Sequence, residues 1–189
     1  MNDLLLWRQL REGDQRALKE VYDLHAGNLA NYAKKFTKDA ELIEDTIHDL
    51  FVSIWQKKEN LSDTDSIIKY LCVALRRDLI RRVSKSMNVT SFDYSEKSDV
   101  DFSLTIEDLI IEDETERVKK EKLKSAFDEL SSRQREAIFL KYYEEMTYEQ
   151  ICEVMDINYQ SVRNLISKGI IELKRVIGFI SIIFSLILS

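Results

Sequence analysis

Apolar residues recur along most of this chain at the spacing of a helix and not at the two-residue period of a strand. In "DAELIEDTIHDLFVSIWQKK" the residues Ile43, Ile47, Leu50, Phe51, Ile54 and Trp55 fall on one side of a helical projection, the pattern of a core-facing helix. In "INYQSVRNLISKGIIELKR" and just beyond it, Val162, Ile166, Ile170, Leu173 and Ile177 form a second stripe, which predicts a helix from about Tyr159 with that stripe buried. Nearer the start, a helix is predicted from about Asp3 to Glu12. Gly13 then reads as the residue past its end and Asp14 as the N-cap of a second helix running to about Phe36. The polar loop "ENLSDTDS" precedes a fourth helix, from about Ser66 to Ser84. Further on, "TERVKKEKLKSAFDEL" is again helical in pattern, and Ser131 with Gln134 and Thr147 with Gln150 have the capping-box form that opens a short helix.

Between these groups, "SMNVTSFDYSEKSDVDFSLTIEDLIIEDE" is polar and acidic with no sustained apolar face, the composition of a mobile linker. The predicted fold is all-α: two small helical domains joined by a flexible acidic linker. The expected boundaries are 1–86 for the first domain, 87–112 for the linker, 113–177 for the second domain and 178–189 for an apolar tail. Composition agrees with helices throughout, since the 189 residues include no proline and only four glycines.

Charge adds a constraint. A net charge of −6 argues against a free-standing, tight DNA binder. The charge is uneven, however. From Lys69 to Lys85 six basic residues stand against Asp78, whereas from Met87 to Glu116 ten acids stand against Lys97, so a basic helix runs into an acidic linker. On the fourth helix Lys69, Arg76, Arg77, Arg81 and Lys85 share about half the circumference and Arg82 points elsewhere. Cys72 and Cys152 sit in apolar-periodic segments without metal-ligand spacing and are expected to be reduced core residues. The N-terminal "MNDLLLWRQLREGDQ" has too short an apolar run for a secretory signal, so a cytoplasmic location is expected. The C-terminal "VIGFISIIFSLILS" extends only about 18 Å as a helix from Ile177 to Leu188, well short of a hydrocarbon core of about 30 Å. Its apolar residues surround the helix, so it is expected to fold against apolar protein surface, with Gly178 turning the chain after the preceding helix.

The segment "TYEQICEVMDINYQSVRNLISK" has the form helix, tight turn, helix, with Asp156, Ile157 and Asn158 in the turn and Asn158 as the second N-cap. Cys152 lies where the two helices would cross, and Ile151, Val162 and Ile166 supply apolar contacts. Outward on the second helix are Tyr159, Gln160, Ser161, Arg163, Asn164, Ser167 and Lys168, side chains that donate, accept or stack. Such a face suits DNA reading in a major groove, and it equally suits an ordinary solvated surface.

Two longer stretches decide between these. "LSSRQREAIFLKYYEEMTYEQICEVMDINYQSVRNLISKGIIELKR" resembles the C-terminal domain of extracytoplasmic-function sigma factors of bacterial RNA polymerase, and "IEDTIHDLFVSIWQKKENLSDTDSIIKYLCVALRRDLIRR" resembles their N-terminal domain. The similarity spans about Leu10 to Ile177 in the family's order. It implies that the helix beginning at Tyr159 reads the −35 promoter element. It also implies that the acidic helix meets the clamp helices of the polymerase β′ subunit. There "IEDTIHDLFVSIW" matches the family's "aeDlvQevFlklW", with Asp45, His48, Asp49, Phe51 and Trp55 at motif positions and His48 where glutamine is common. Phe51 and Trp55 are expected in the core, leaving Glu44, Asp45, His48 and Asp49 as contacts. The loop and basic helix that follow correspond to the family's −10 reader, with Asn60, Ser62 and Asp63 as base contacts and Lys69, Arg76, Arg77 and Arg81 on the strand backbone. "ALRRDLIRR" departs from the family's "ArNxxiDxxR" by placing Arg77 at the asparagine position.

The resemblance implies a transcription initiation factor that acts by binding, with core RNA polymerase, promoter DNA and an anti-sigma factor as partners. The alternative is a helix-turn-helix regulator that binds an operator directly, tethered by its apolar tail. A hydrolase or transferase is disfavoured: there is no Gly-rich phosphate loop, His25 and His48 lack metal-ligand spacing, and no motif sets a nucleophile beside a base. No cofactor, metal or small-molecule substrate is expected.

Overall fold

The computed structural model describes residues 3–86, 101–103 and 126–187, with side chains for all of these except residues 86 and 176–187. The chain divides into two compact units, Met1–Asp101 and Phe102–Ser189. Among the described residues the regular structure is helical.

The first unit holds α1 (Asp3–Arg11), α2 (Gln15–Ala33), α3 (Ala40–Gln56), a 3-10 turn (Lys58–Asn60) and α4 (Ile67–Ser86). α1 ends in a Schellman motif: the Asp14 N–H donates to the Gln9 carbonyl and the Gly13 N–H to the Leu10 carbonyl, each at 3.0 Å. Gly13 takes φ +91° to make this turn. Asp14 then starts α2 at once, its carboxylate accepting the Arg16 N–H at 2.8 Å. α3 starts the same way at Asp39, which accepts from the Leu42 N–H at 3.1 Å. Each helix gives one stripe to the core. Trp7 and Leu10 of α1, Val21, Leu29 and Tyr32 of α2, Ile43, Ile47, Phe51 and Ile54 of α3, and Leu71, Leu75 and Leu79 of α4 are buried. Burial of each large side chain stabilises by about 1.5–3 kcal/mol before chain entropy is set against it. Leu50 and Trp55, at the edges of the predicted stripe on α3, are only half-buried.

The second unit holds α5 (Ser132–Tyr142), α6 (Tyr148–Met155) and α7 (Tyr159–Ile187), preceded by helical residues 126–128. Both capping boxes form as the sequence predicts. Ser131 and Gln134 exchange bonds of 3.3 and 2.8 Å, and Thr147 and Gln150 exchange bonds of 3.2 and 2.9 Å. α5 and α7 approach closely at Gly169, where a Cβ would come within 2.8 Å of Ile138 Cδ1.

Four expectations change. Phe102, inside the segment expected to be a mobile linker, is buried against Phe139 with ring centroids 5.9 Å apart, and its carbonyl accepts from Arg135 Nη1 at 3.1 Å. Apart from residues 101–103, the segment 87–112 lies outside the described residues. Gly178 does not turn the chain, because α7 continues through it to Ile187. A single glycine costs a helix only about 1 kcal/mol relative to alanine, too little to end it without a competing turn. The apolar stripe of α7 is fully buried only at Val162 and Ile166; Ile170 and Leu173 are half-buried, and the side chain of Ile177 is not described. Cys72 is buried as expected, but Cys152 is only half-buried. Among the described residues no helix is long and apolar enough to cross a membrane.

Two outcomes follow for stability. Gly13→Ala should lower the stability of the first unit by about 1 kcal/mol in denaturant melts, because a Cβ disfavours positive φ. The nearest atom to that Cβ, Lys58 Cε, lies at an ordinary 3.4 Å, so the cost is conformational. Gly13→Asn, which tolerates such a turn, should recover part of it. The second outcome concerns His25, whose Nε2 is buried without a hydrogen-bond partner. Burial lowers its pKa below 6.5, against an opposing pull from Asp3. The unfolded chain therefore takes up the proton first, and the stability contributed by neutral His25 is complete above about pH 6.5 and lost as pH falls below it. Wild type should lose more stability than His25→Gln between about pH 7.5 and 5.5, measured by melting of the two proteins in parallel.

Candidate nucleic-acid interface

In the second unit the turn is built by two short polar side chains. Asp156 closes α6 in the left-handed region, at φ 54° and ψ 51°, a conformation that aspartate tolerates better than most residues. The next N–H, that of Ile157, returns to the Cys152 carbonyl at 3.1 Å. Asn158 then caps α7, its Oδ1 accepting the Ser161 N–H at 2.8 Å. Ile151, Val154 and Met155 of α6 are buried, as are Val162 and Ile166 of α7, so the hairpin is fixed by its apolar side. The Cys152 thiol has its pKa raised, first by burial and then by Glu149, which keeps it a neutral packing group.

The outer side of α7 is as the sequence predicts. Tyr159, Gln160, Arg163, Asn164, Ser167 and Lys168 are exposed and Ser161 is half-buried. They are not independent of one another. Gln160 Nε2 donates to Asn164 Oδ1 at 3.0 Å, and the Ser167 hydroxyl donates to the Asn164 carbonyl at 3.3 Å. The Tyr159 ring leans on that of Tyr148, with centroids 5.6 Å apart. Lys141 Nζ sits 5.3 Å from the Tyr148 ring centre and also donates to the Met146 carbonyl at 3.1 Å. Lys141 and Tyr148 thus neighbour this face, although neither lies on the helix expected to carry it. The exposed set has the chemistry of base-edge readers: an amide suits adenine and a guanidinium suits guanine.

In the first unit the loop between α3 and α4 alternates. Leu61, Thr64 and Ser66 are buried, whereas Asn60, Ser62, Asp63 and Asp65 are exposed. Ser66 caps α4, with its carbonyl accepting the Tyr70 N–H at 3.2 Å and its hydroxyl the Lys69 N–H at 3.4 Å. On α4, Arg77, Arg81 and Lys85 are exposed and Arg76 is half-buried. Lys69 is less available than predicted: its side chain is 13% exposed and its Nζ bonds Asp65 at 2.9 Å. That bond is the main reason the Asp65 carboxyl lies below its usual pKa. Arg81 pairs with Asp78.

Arg82, expected to point away from the basic face, turns to α3 and bonds Asp49 at 2.6 Å and Asp78 at 3.2 Å. The Asp49 bond is the largest cause of the raised pKa of Arg82. Glu44, Asp45, His48 and Asp49 are all exposed on α3. Of the four, Asp49 thus also ties α3 to α4. Phe51 is buried edge-on against Tyr22, at 4.9 Å between centroids, while Trp55 is half-buried beneath Lys58 Nζ at 4.7 Å. Among the described residues no cluster of acids, histidines and cysteines is arranged to hold a metal ion.

Known proteins match this arrangement in both units. The model for sigma-70 region 2 matches residues 21–88 and that for sigma-70 region 4 matches residues 120–173. An ECF RNA polymerase sigma factor SigK of Mycolicibacterium vanbaalenii is 24% identical over 177 residues, 92% of this chain and 88% of that protein. Its counterpart in Mycobacterium sp. strain JLS is 27% identical over 180 residues, covering 93% and 90%. Among solved structures, CnrH in complex with the cytosolic domain of CnrY superposes with a TM-score of 0.62 at 17% identity, over 94% of this chain and 98% of that one. The sigma factor RpoE of Bartonella quintana, in complex with the anti-sigma factor NepR, gives a TM-score of 0.57 at 18% identity, over 85% and 96%. With region 2 on the unit that carries the acidic and basic helices and region 4 on the unit that carries the helix-turn-helix, the chain belongs to the sigma-70 family as an ECF-type RNA polymerase sigma factor.

Proposed function

We propose that this sigma factor docks on the β′ clamp helices of core polymerase through the exposed face of α3, with Glu44, Asp45, His48 and Asp49 as contacts. The loop at Asn60, Ser62 and Asp63 takes bases of the −10 element. Arg76, Arg77 and Arg81, with Lys69 behind them, line the strand backbone. The N-terminal turns of α7 read the −35 element. One observation carries this reading: the region 4 match falls on a helix-turn-helix whose second helix has a buried inner stripe and an outer side of amide, guanidinium and hydroxyl groups. The protein acts by binding and not by catalysis, and it works in the cytoplasm. Two of its structural neighbours are solved as complexes, CnrH with the cytosolic domain of CnrY and RpoE with the anti-sigma factor NepR, and the second supports an anti-sigma partner for this chain as well.

The net charge of −6 fits a factor whose nonspecific DNA affinity comes from the polymerase. Two measurements test the proposal. Replacing Glu44 and Asp45 by lysine should weaken binding to core polymerase by roughly tenfold or more, since it reverses two of the four groups proposed as contacts. Stability should move by less than about 0.5 kcal/mol, because both sites are exposed. Asp49 is spared in this variant because its loss would also remove the contact of Arg82 with α3. Unchanged co-elution with core polymerase would refute the docking face.

On α7, Gln160→Ala or Arg163→Ala should lose roughly 1–3 kcal/mol of discrimination at one or two −35 positions. Lys168→Ala should weaken all promoters alike and lower the salt slope by about one. These effects are read from affinities of the reconstituted holoenzyme for a panel of −35 variants. A uniform loss for all three would mean that α7 positions the complex without reading bases.

A further inference from the structure

Three residues of α1 reach the loop that precedes α4, and they are spaced four apart. Asp3 Oδ2 accepts the N–H of Ile67, the first residue of α4, at 2.9 Å. Trp7 Nε1 donates to the Ser62 carbonyl at 2.9 Å. The Arg11 guanidinium pairs with the Asp63 carboxylate. Positions 3, 7 and 11 form one line along a helix, so a single face of α1 holds the loop in the middle and at its exit. The anchor is buried. Trp7 is 1% exposed and its ring lies 4.8 Å from that of Tyr70 on α4. The sigma-70 region 2 match begins at residue 21, so α1 lies outside it.

The Trp7 and Asp3 contacts take main-chain groups and leave the loop's outward side chains unoccupied, while Arg11 engages one oxygen, Oδ1, of the Asp63 carboxylate. Trp7 takes the main-chain carbonyl of Ser62 and so fixes the backbone without occupying the hydroxyl. Arg11 compensates the charge of Asp63, a carboxylate that is 85% exposed and would otherwise repel the phosphates of an approaching strand. Asp3 occupies an N–H at the α4 N-terminus that has no partner inside the helix. We infer that α1 is a positioning element for promoter opening: Trp7 and Arg11, without touching DNA themselves, hold the loop at Ser62 and Asp63 in the shape that accepts an unpaired base of the −10 element. This inference rests on the −10 assignment of the loop made above. A site that receives an extruded base gains from being preformed, since ordering it on binding would draw on the same free energy that unstacks the base.

The test uses the full chain assembled with core polymerase. Trp7→Phe keeps the ring and removes the N–H, and Arg11→Met keeps an apolar stem and removes the charge. Each is assayed on fragments carrying the unpaired −10 strand, with every base substituted in turn, and on duplex fragments varied only at −35. The expected result is a roughly fivefold loss of base discrimination at −10, the size of one lost hydrogen bond, with unchanged −35 discrimination and unchanged affinity for core polymerase. Asn60→Ala and Asp63→Ala serve as controls for the loop itself. If these two lose discrimination while Trp7→Phe and Arg11→Met retain it, the positioning role of α1 is overturned and the reading loop stands. If the loop variants themselves discriminate like wild type, the −10 assignment fails and the inference fails with it. Equal losses at −10 and −35, together with a lowered melting temperature, would make α1 a stability element only.

Discussion

A helix begins with N–H groups that have no partner within the helix, and the way this chain supplies them fixes both faces proposed to meet nucleic acid. α7 is started by Asn158, whose side chain and carbonyl accept from Ser161 and Val162 at 2.8 and 3.1 Å. α4 is started by Ser66 together with Asp3, which comes from another helix. These caps set where each helix begins and therefore which side chains occupy its first two turns. With Val162 and Ile166 buried, Gln160, Arg163 and Asn164 must face outward, because the helical period admits no other arrangement. The side chains offered on this outer face follow from backbone satisfaction at one end of a helix and burial along one side of it.

Signals confined to a few neighbouring residues were legible in the sequence. The two capping boxes, the Gly13 turn, Asp14 and the Asp156 to Asn158 turn each depend on partners within about one helical turn, where residue type alone fixes the outcome. Contacts between distant segments were not. Trp7 and Ser62 are 55 residues apart, and Arg82 and Asp49 are 33 apart. Nothing in the local pattern of either partner names the other. Phe102 shows the same limit: one aromatic anchor in an acidic segment has no period to reveal it, yet it is buried against α5. Of the site residues, the outer row of α7 was legible almost whole. The basic set on α4 was legible as a charge cluster, but how its charges are compensated was not, since an ion pair depends on which helices pack together.

That compensation changes what the basic helix can do. Arg81 and Arg82 both meet Asp78, Arg82 also meets Asp49, and Lys69 meets Asp65. Arg81, Asp49 and Asp65 are exposed and Lys69, Arg82 and Asp78 are half-buried, so these partly solvated pairs contribute modestly to stability and act mainly on the local field. A helix whose cations are partly neutralised has a weaker pull on phosphates than its formal count suggests, and fewer counterions are released when it binds. This favours contact made once the polymerase has brought the strand close over contact made by the free protein.

Precision in the second unit has a different source. α5 and α7 meet at Gly169, where the absence of a side chain lets Ile138 approach to a distance that a Cβ would reduce to 2.8 Å. Close packing at one point of a long helix constrains its direction, and the N-terminal turns of α7 lie about two to three turns away from that point. A small shift at the crossing is magnified along the helix axis. Arg163 and Gln160 would then be displaced by more than the crossing itself moves, and a bidentate bond to a base tolerates little displacement. Glycine therefore gives up helix propensity at residue 169 for a close contact with Ile138, on the buried side of the helix that carries the side chains proposed to read DNA.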